Sequence, residues 1–301
     1  DTLKQNLFGD GVLRGSGRLN NAGATSINWR GSDGRSNYNA LILSIDSNNL
    51  GNKGVRMTAR YTYSNAKDNL SDTFSSPANQ FNLGYLDPFN PDLDYGYADY
   101  DVRHRFTGTF VWDIPHVTSA KGWVNQVVNG WELTGILNLR TGTPFSLYDS
   151  TNALAAVMRA ELNGPINKNG SVNRSSVGAG FNRYNFIDLH GLTPGQFLDS
   201  NLLAEFPPFP TDMSKRNEFR RPGFWNLDSA VYKNFKVTER VTLQMRFEAY
   251  NVFNHANLYV SGGEADVATT SFVPACFGRP ECLSTNTAER RNIQIAGKVI
   301  F

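Results

Sequence analysis

The chain has 301 residues, a formal net charge of +2 and a mean hydropathy of −0.40. Nearly cancelling charge leaves no field to draw nucleic acid or an acidic ligand, and its apolar runs, such as ALILSI at 40–45, are far too short for a transmembrane helix. A membrane β-barrel passes both tests, because only every second residue of its strands must be apolar.

The chain opens on DTLKQNLFGD, with no basic start, apolar h-region or cleavage site. Such an opening is expected where a signal peptide has been removed or where these residues are the later part of a longer protein. Seven segments then alternate for long enough to be read as strands. The first, YNALILSID (38–46), carries apolar residues on both faces. In GVRMTARYTYSN (54–65), Val55, Met57, Ala59, Tyr61 and Tyr63 oppose Arg56, Thr58, Arg60 and Thr62. In DVRHRFTGTFVWD (101–113), Phe106, Gly108, Phe110 and Trp112 oppose Arg103, Arg105, Thr107 and Thr109. GWELTGILNLRT (130–141) sets Trp131, Leu133, Leu137 and Leu139 against Glu132, Thr134, Asn138 and Arg140. FWNLDSAVYKNF (224–235) continues the pattern. In VTLQMRFEAYNVF (241–253), Leu243, Met245, Phe247 and Ala249 oppose Gln244, Arg246, Glu248 and Tyr250. Residues 290–301 finish it, with Ile293, Ile295, Val299 and Phe301 on one face.

Segments of about a dozen residues are roughly twice the usual soluble strand, whereas a tilted strand crosses hydrocarbon in roughly 9–11. Trp112, Trp131 and Trp225 fall near strand ends, where an interfacial aromatic belt would put them. The linkers are 47–53, 66–100, 114–129, 142–223, 236–240 and 254–289, so short and long alternate without exception. Antiparallel strands joined this way place every short turn at one end and every long loop at the other, the asymmetry of outer-membrane barrels. The expectation is therefore an all-β, antiparallel transmembrane β-barrel segment of about seven meander strands. By the same count residues 1–37 are an external lead-in to barrel residues 38–301. An odd strand number then marks the chain as one part of a larger barrel, because complete bacterial barrels have even counts.

Several stretches resemble the C-terminal barrel of TonB-dependent outer-membrane transporters of the Oar-like type: SNYNALILSI (36–45), ARYTYSNAKDN (59–69), YDVRHRFTGTFVWDIP (100–115), NGWELTGILNLRTGTPF (129–145), RNEFRRPGFWNLDSAVYKNF (216–235) and RFEAYNVFNHANL (246–258). The resemblance implies a barrel of about 22 strands around a plug, energised by TonB, in the cell outer membrane. The plug and TonB contact would lie upstream of these residues. The last strand resembles the β-signal read by the barrel-assembly machinery, on Gln294, Ala296, Val299 and Phe301, with Ala296 in place of the usual glycine. The partners implied are outer-membrane lipid, the plug and remaining strands of the same polypeptide, the assembly machinery and TonB. No nucleic acid is expected. A passive porin or a surface adhesin is the alternative, and a soluble secreted β-protein a third reading.

Arg56, Arg60, Arg103, Arg105, Glu132, Arg140, Asp228, Arg246 and Glu248 fall on the polar parity and are the candidate lumen residues. They could line a solute path, grip a plug, or satisfy one another across strands. Lys233, on the outward parity, is expected to snorkel. The loop LDPFNPDLDYGYADYD (86–101) gathers Asp87, Asp92, Asp94, Asp99 and Asp101 without the spacing of a calcium loop, so a solvated loop is expected. STNALAAVMRAELNG (150–164) reads as a short helix stopped by Gly164 and Pro165. Cys276 and Cys282 are either free thiols or, in an oxidising compartment, a local disulfide. The four histidines, His104, His116, His190 and His255, form no catalytic pattern, so neither enzymatic activity nor a cofactor or metal is expected.

Overall fold

The structure, a computed structural model, describes residues 32–51, 53–71, 90–146, 159, 173–176, 184–185, 214–259, 282–285 and 290–301. Its frame is seven long strands: β1 (Ser36–Leu50), β2 (Val55–Asp68), β4 (His104–Asp113), β5 (Trp131–Arg140), β10 (Phe224–Lys236), β11 (Thr242–Tyr250) and β14 (Asn292–Ile300). They form one antiparallel sheet in the order β1-β2-β4-β5-β10-β11-β14, with the two-residue β3 (Gly96–Tyr97) appended to β2. The sheet is a meander and is not closed: among the described residues β1 and β14 each lack a partner along one edge. Each long strand touches its ladder neighbours, and among the described residues no second sheet packs across it. The described strands thus show no sandwich arrangement, in which facing sheets interdigitate.

The register turns seven separate alternations into two continuous surfaces. Leu43 of β1 lies opposite Tyr61, Tyr61 opposite Phe106, and Phe106 opposite Leu139. Leu139 lies opposite Trp225, Val231 opposite Phe247, and Phe247 opposite Ile295. Directly opposed residues share a face, so one apolar surface crosses all seven strands. Leu243, Met245 and Phe247 remain exposed on it. Gly135 holds this surface flat where Phe110 lies over β5; a Cβ there would come within 2.4 Å of the ring.

The connections sort by length. Short links join β1 to β2, β4 to β5 and β10 to β11 at one end of the sheet. The β4–β5 link contains a short helix, α1 (Gly122–Val128), that the alternation pattern did not reveal. At Gly130, φ is +81°, and a side chain there would meet the Asn234 carbonyl at 2.6 Å. Every accessory strand lies in the three long connections at the opposite end. Besides β3 these are β6 (Pro144–Phe145), β7 (Asn173–Ser176), β8 (Tyr184–Asn185), β9 (Phe219–Arg220), β12 (Leu258–Tyr259) and β13 (Cys282–Thr285). β6 pairs with β9, and β12-β13-β8-β7 form a four-stranded sheet joining two of the long connections.

Element boundaries shift modestly from expectation. β1 and β2 run longer, to Leu50 and Asp68, while β4 starts only at His104 and β11 stops at Tyr250. Asn251 and Asn254 then adopt positive φ, ending the strand in a turn that asparagine tolerates. Of the helix expected at 150–164, Arg159 alone is described, and it lies in an isolated bridge. The remainder of that stretch, Cys276, Asp87 and His190 lie outside the described residues.

Candidate functional site

The polar face carries the candidate solute path. Arg56 pairs with Asp113 at 3.1 Å near the short-turn end, with Glu132 opposite Asp113. Asp228 accepts hydrogen bonds from the Asn226 amide and the Asn251 backbone N–H. Arg246 donates to Gln244 and lies 5.4 Å from the Tyr232 ring centre, while Glu248 accepts from the Tyr250 hydroxyl and faces Gln294. Arg56 and Asp113 thus pair across two strands, whereas Asp228, Arg246 and Glu248 each bond a side chain two residues away on the same chain segment. Among the described residues Arg60, Arg105 and Arg140 form no salt bridge, and they lie toward the long-loop end. Arg103 lies just before β4, stacked 5.0 Å from the Tyr97 ring centre. Its guanidinium, hydrogen-bonded to Tyr97, holds that phenol below the usual tyrosine range.

Beyond the strands, the long-loop end is capped by a buried ionic cluster. This corrects the expectation of a solvated aspartate loop. Asp94 and Asp101 are almost fully buried, as is Asp68 at the end of β2. A carboxylate can persist in such a place only when paired and hydrogen-bonded. Arg216 supplies that pairing at 2.7 Å from Asp68 and 3.4 Å from Asp99, and also donates to Ser71 at 2.6 Å. Arg159 meets Asp94 at 2.5 Å, and Arg220 meets the Asp101 carboxylate. The other Asp101 oxygen accepts the Ala66 backbone N–H at 2.7 Å, which ties the loop to β2. Asn217, buried at positive φ, donates to the Tyr97 carbonyl and to Asp99, both at 2.6 Å. Phe145 and Phe219 close the cap with ring centres 5.8 Å apart, both buried. Among the described aspartates of this loop Asp92 fits the solvated reading, exposed beside Arg35.

A cavity of about 720 Å³ opens below the cap at the ends of β4, β5 and β10, bounded by Tyr61, Phe106, Leu139 and Trp225 and by the Arg220–Gly223 turn. The Tyr61 hydroxyl lies 2.7 Å from His104 Nδ1, and Trp225 stacks on His255 at 4.3 Å. Lys233 is also a correction. Rather than snorkelling to water it is 2 % exposed, its ammonium donating to the Asn129 carbonyl and sitting 4.9 Å from the Trp131 ring centre. The nearby turn carbonyl supplies what solvent would have. On β14, Gln294, Ala296 and Val299 pair with Glu248, Arg246 and Leu243, and Phe301 extends past the strand, fully exposed.

A family model for the outer membrane beta barrel domain matches residues 7–294. The chain belongs to that family. It is a protein of the cell outer membrane, and its long strands are barrel wall. No curated protein and no solved structure gives a significant match. In barrels of this kind lipid-facing and lumen-facing residues alternate along each strand, and the seven strands here carry one apolar and one arginine-bearing surface. The cluster that sequence reasoning missed was present in the motif RNEFRRPGFWN, whose three arginines and buried asparagine clamp the outer end.

Proposed function

We propose that this barrel domain forms wall and extracellular loops of a TonB-dependent active transporter of the Oar-like type. Six motifs in the family's order support the reading. The observation that carries it is a polar face, read here as the lumen face, with three arginines that form no salt bridge among the described residues, beneath an outer end fixed by buried ion pairs. An ion-paired outer end over a charged path suits selective capture of a solute better than unrestricted diffusion. In this reading solute enters at the loops and plug rearrangement driven by TonB lets it pass; the chain performs no enzymatic step. Plug, TonB contact and further strands are then supplied by the rest of the polypeptide.

The open edges agree with that division. Seven antiparallel strands leave β1 and β14 running in the same direction, so an all-antiparallel barrel needs an odd number of additional strands between them. A barrel of 22 meets that condition. On β14 the residues Gln294, Ala296, Val299 and Phe301 are proposed to present the assembly signal, as a strand offered to an edge. Replacing Phe301 by Ala is expected to reduce the heat-modifiable, membrane-assembled form on gel electrophoresis; unchanged assembly would remove that assignment.

The transport reading is tested in cells carrying the intact protein. Uptake of its solute should vanish when TonB is deleted and return on complementation. Steady ion conductance by the purified protein, with uptake indifferent to TonB, would instead establish the passive porin.

A further inference from the structure

The lumen face sets like charges directly opposite each other, with no salt-bridge partner among the described residues. Arg105 and Arg140 are direct cross-strand partners of β4 and β5, which sets their β-carbons about 5 Å apart on one face. Arg60 of β2 lies opposite Thr107, two residues along β4 from Arg105, and so on the diagonal of the same face. Like charges directly opposed destabilise a sheet. Among the described residues none of the three forms a salt bridge. Arg140 rests on the Phe224 ring at 4.8 Å, which orients it without neutralising it. Toward the short-turn end the first carboxylates on this face, Asp46 and Asp228, sit one row beyond Arg60 and two rows beyond Arg105 and Arg140, and Asp228 is already bound to Asn226 and the Asn251 N–H. The arginines nearer the cap, Arg216, Arg220 and Arg159, are each spent on a buried aspartate. Neutral groups fill the space between: the Thr107 hydroxyl donates to the Asn138 side-chain amide oxygen at 3.3 Å.

We propose that Arg60, Arg105 and Arg140 form a binding station for an oxyanion, a carboxylate or phosphate group of a solute in the lumen, just inside the outer cap. Planar guanidinium forks match such groups in bidentate fashion, and a bound anion removes the repulsion that the register creates. The station rests on the lumen assignment made under the proposed function, but not on TonB, because it is read as equilibrium binding.

The experiment uses the intact purified protein in detergent with citrate as probe, measured by calorimetry and by thermal unfolding against sodium chloride of equal ionic strength. Citrate is expected to bind and to raise the unfolding midpoint above the chloride control. Replacing Arg105 or Arg140 by Gln should weaken binding about tenfold each, the size of one charge-assisted hydrogen bond. The double variant should keep or gain stability in chloride while losing the citrate increment. A merely structural role predicts the reverse: lower stability in chloride and an unchanged increment. Citrate binding that is equal in the double variant overturns the station. So does binding seen only after the upstream segment is removed, which would mean that acidic groups of the same polypeptide occupy the arginines. Failure of either kind leaves the TonB-dependence of uptake untouched, and loss of TonB-dependence leaves the binding result standing.

Discussion

Arg216 shows how much one guanidinium can settle. It touches Asp68, Asp99, Ser71 and the Asp68 backbone carbonyl while remaining almost fully buried. Replacing it by Ala removes the cation beside buried Asp68 and leaves that carboxylate only the Ser71 hydroxyl, a loss of about 3–5 kcal/mol. A lowered unfolding midpoint of the intact protein in detergent would register it, with Arg216→Lys intermediate because an ammonium cannot reproduce the fork. The reason this cluster escaped sequence reading is distance along the chain. Arg159 and Asp94 are 65 positions apart, Arg220 and Asp101 119, and Arg216 and Asp68 148. An acidic loop rich in tyrosine looks solvated when its cations are so remote. Lys233 misled for the opposite reason: its acceptor is a backbone carbonyl, which composition never displays.

At the scale of the element, alternation was a faithful guide because period-2 patterning is set locally, by which side of each strand meets lipid. All seven long strands and the sorting of their connections could be read this way. Phe247 sits mid-strand on the lipid face of β11. Phe247→Arg is expected to cost about 2–4 kcal/mol and to lower the yield of folded barrel; Gln244→Arg, on the lumen face of the same strand, should leave that yield near the parent. Equal losses from both would contradict the facing. The helix α1 was not legible, and physically it should not be: it has seven residues, no side-chain cap at Lys121 and no acidic first turn. Its ties are tertiary, the Trp131 indole donating to Val127 and Gln126 reaching the Lys236 carbonyl. Gly130→Ala at the foot of that link should destabilise the protein, since positive φ and the Asn234 carbonyl both oppose a side chain there.

For the molecule as a whole, the two free edges matter most. Backbone groups exposed along β1 and β14 cannot remain unpaired in hydrocarbon. In the intact protein, amides of β1 and β14 should therefore exchange with deuterium as slowly as those of the central strand β5. Fast exchange confined to β1 and β14 would mean that the sheet stays open. The outer end has a bearing on how such a sheet reaches its alignment. A shift of one residue between two wall strands exchanges lipid-facing and lumen-facing side chains, and a shift of two is nearly silent inside the bilayer because the faces are restored. The ionic cap does not share that indifference. A two-residue slide is about 7 Å of travel, enough to strand Asp68 from Arg216 and Asp101 from Arg220 on the far side of the membrane. The salt-bridged cap thus works as a tally kept outside the cell of whether the hairpins within the bilayer have come to rest in step.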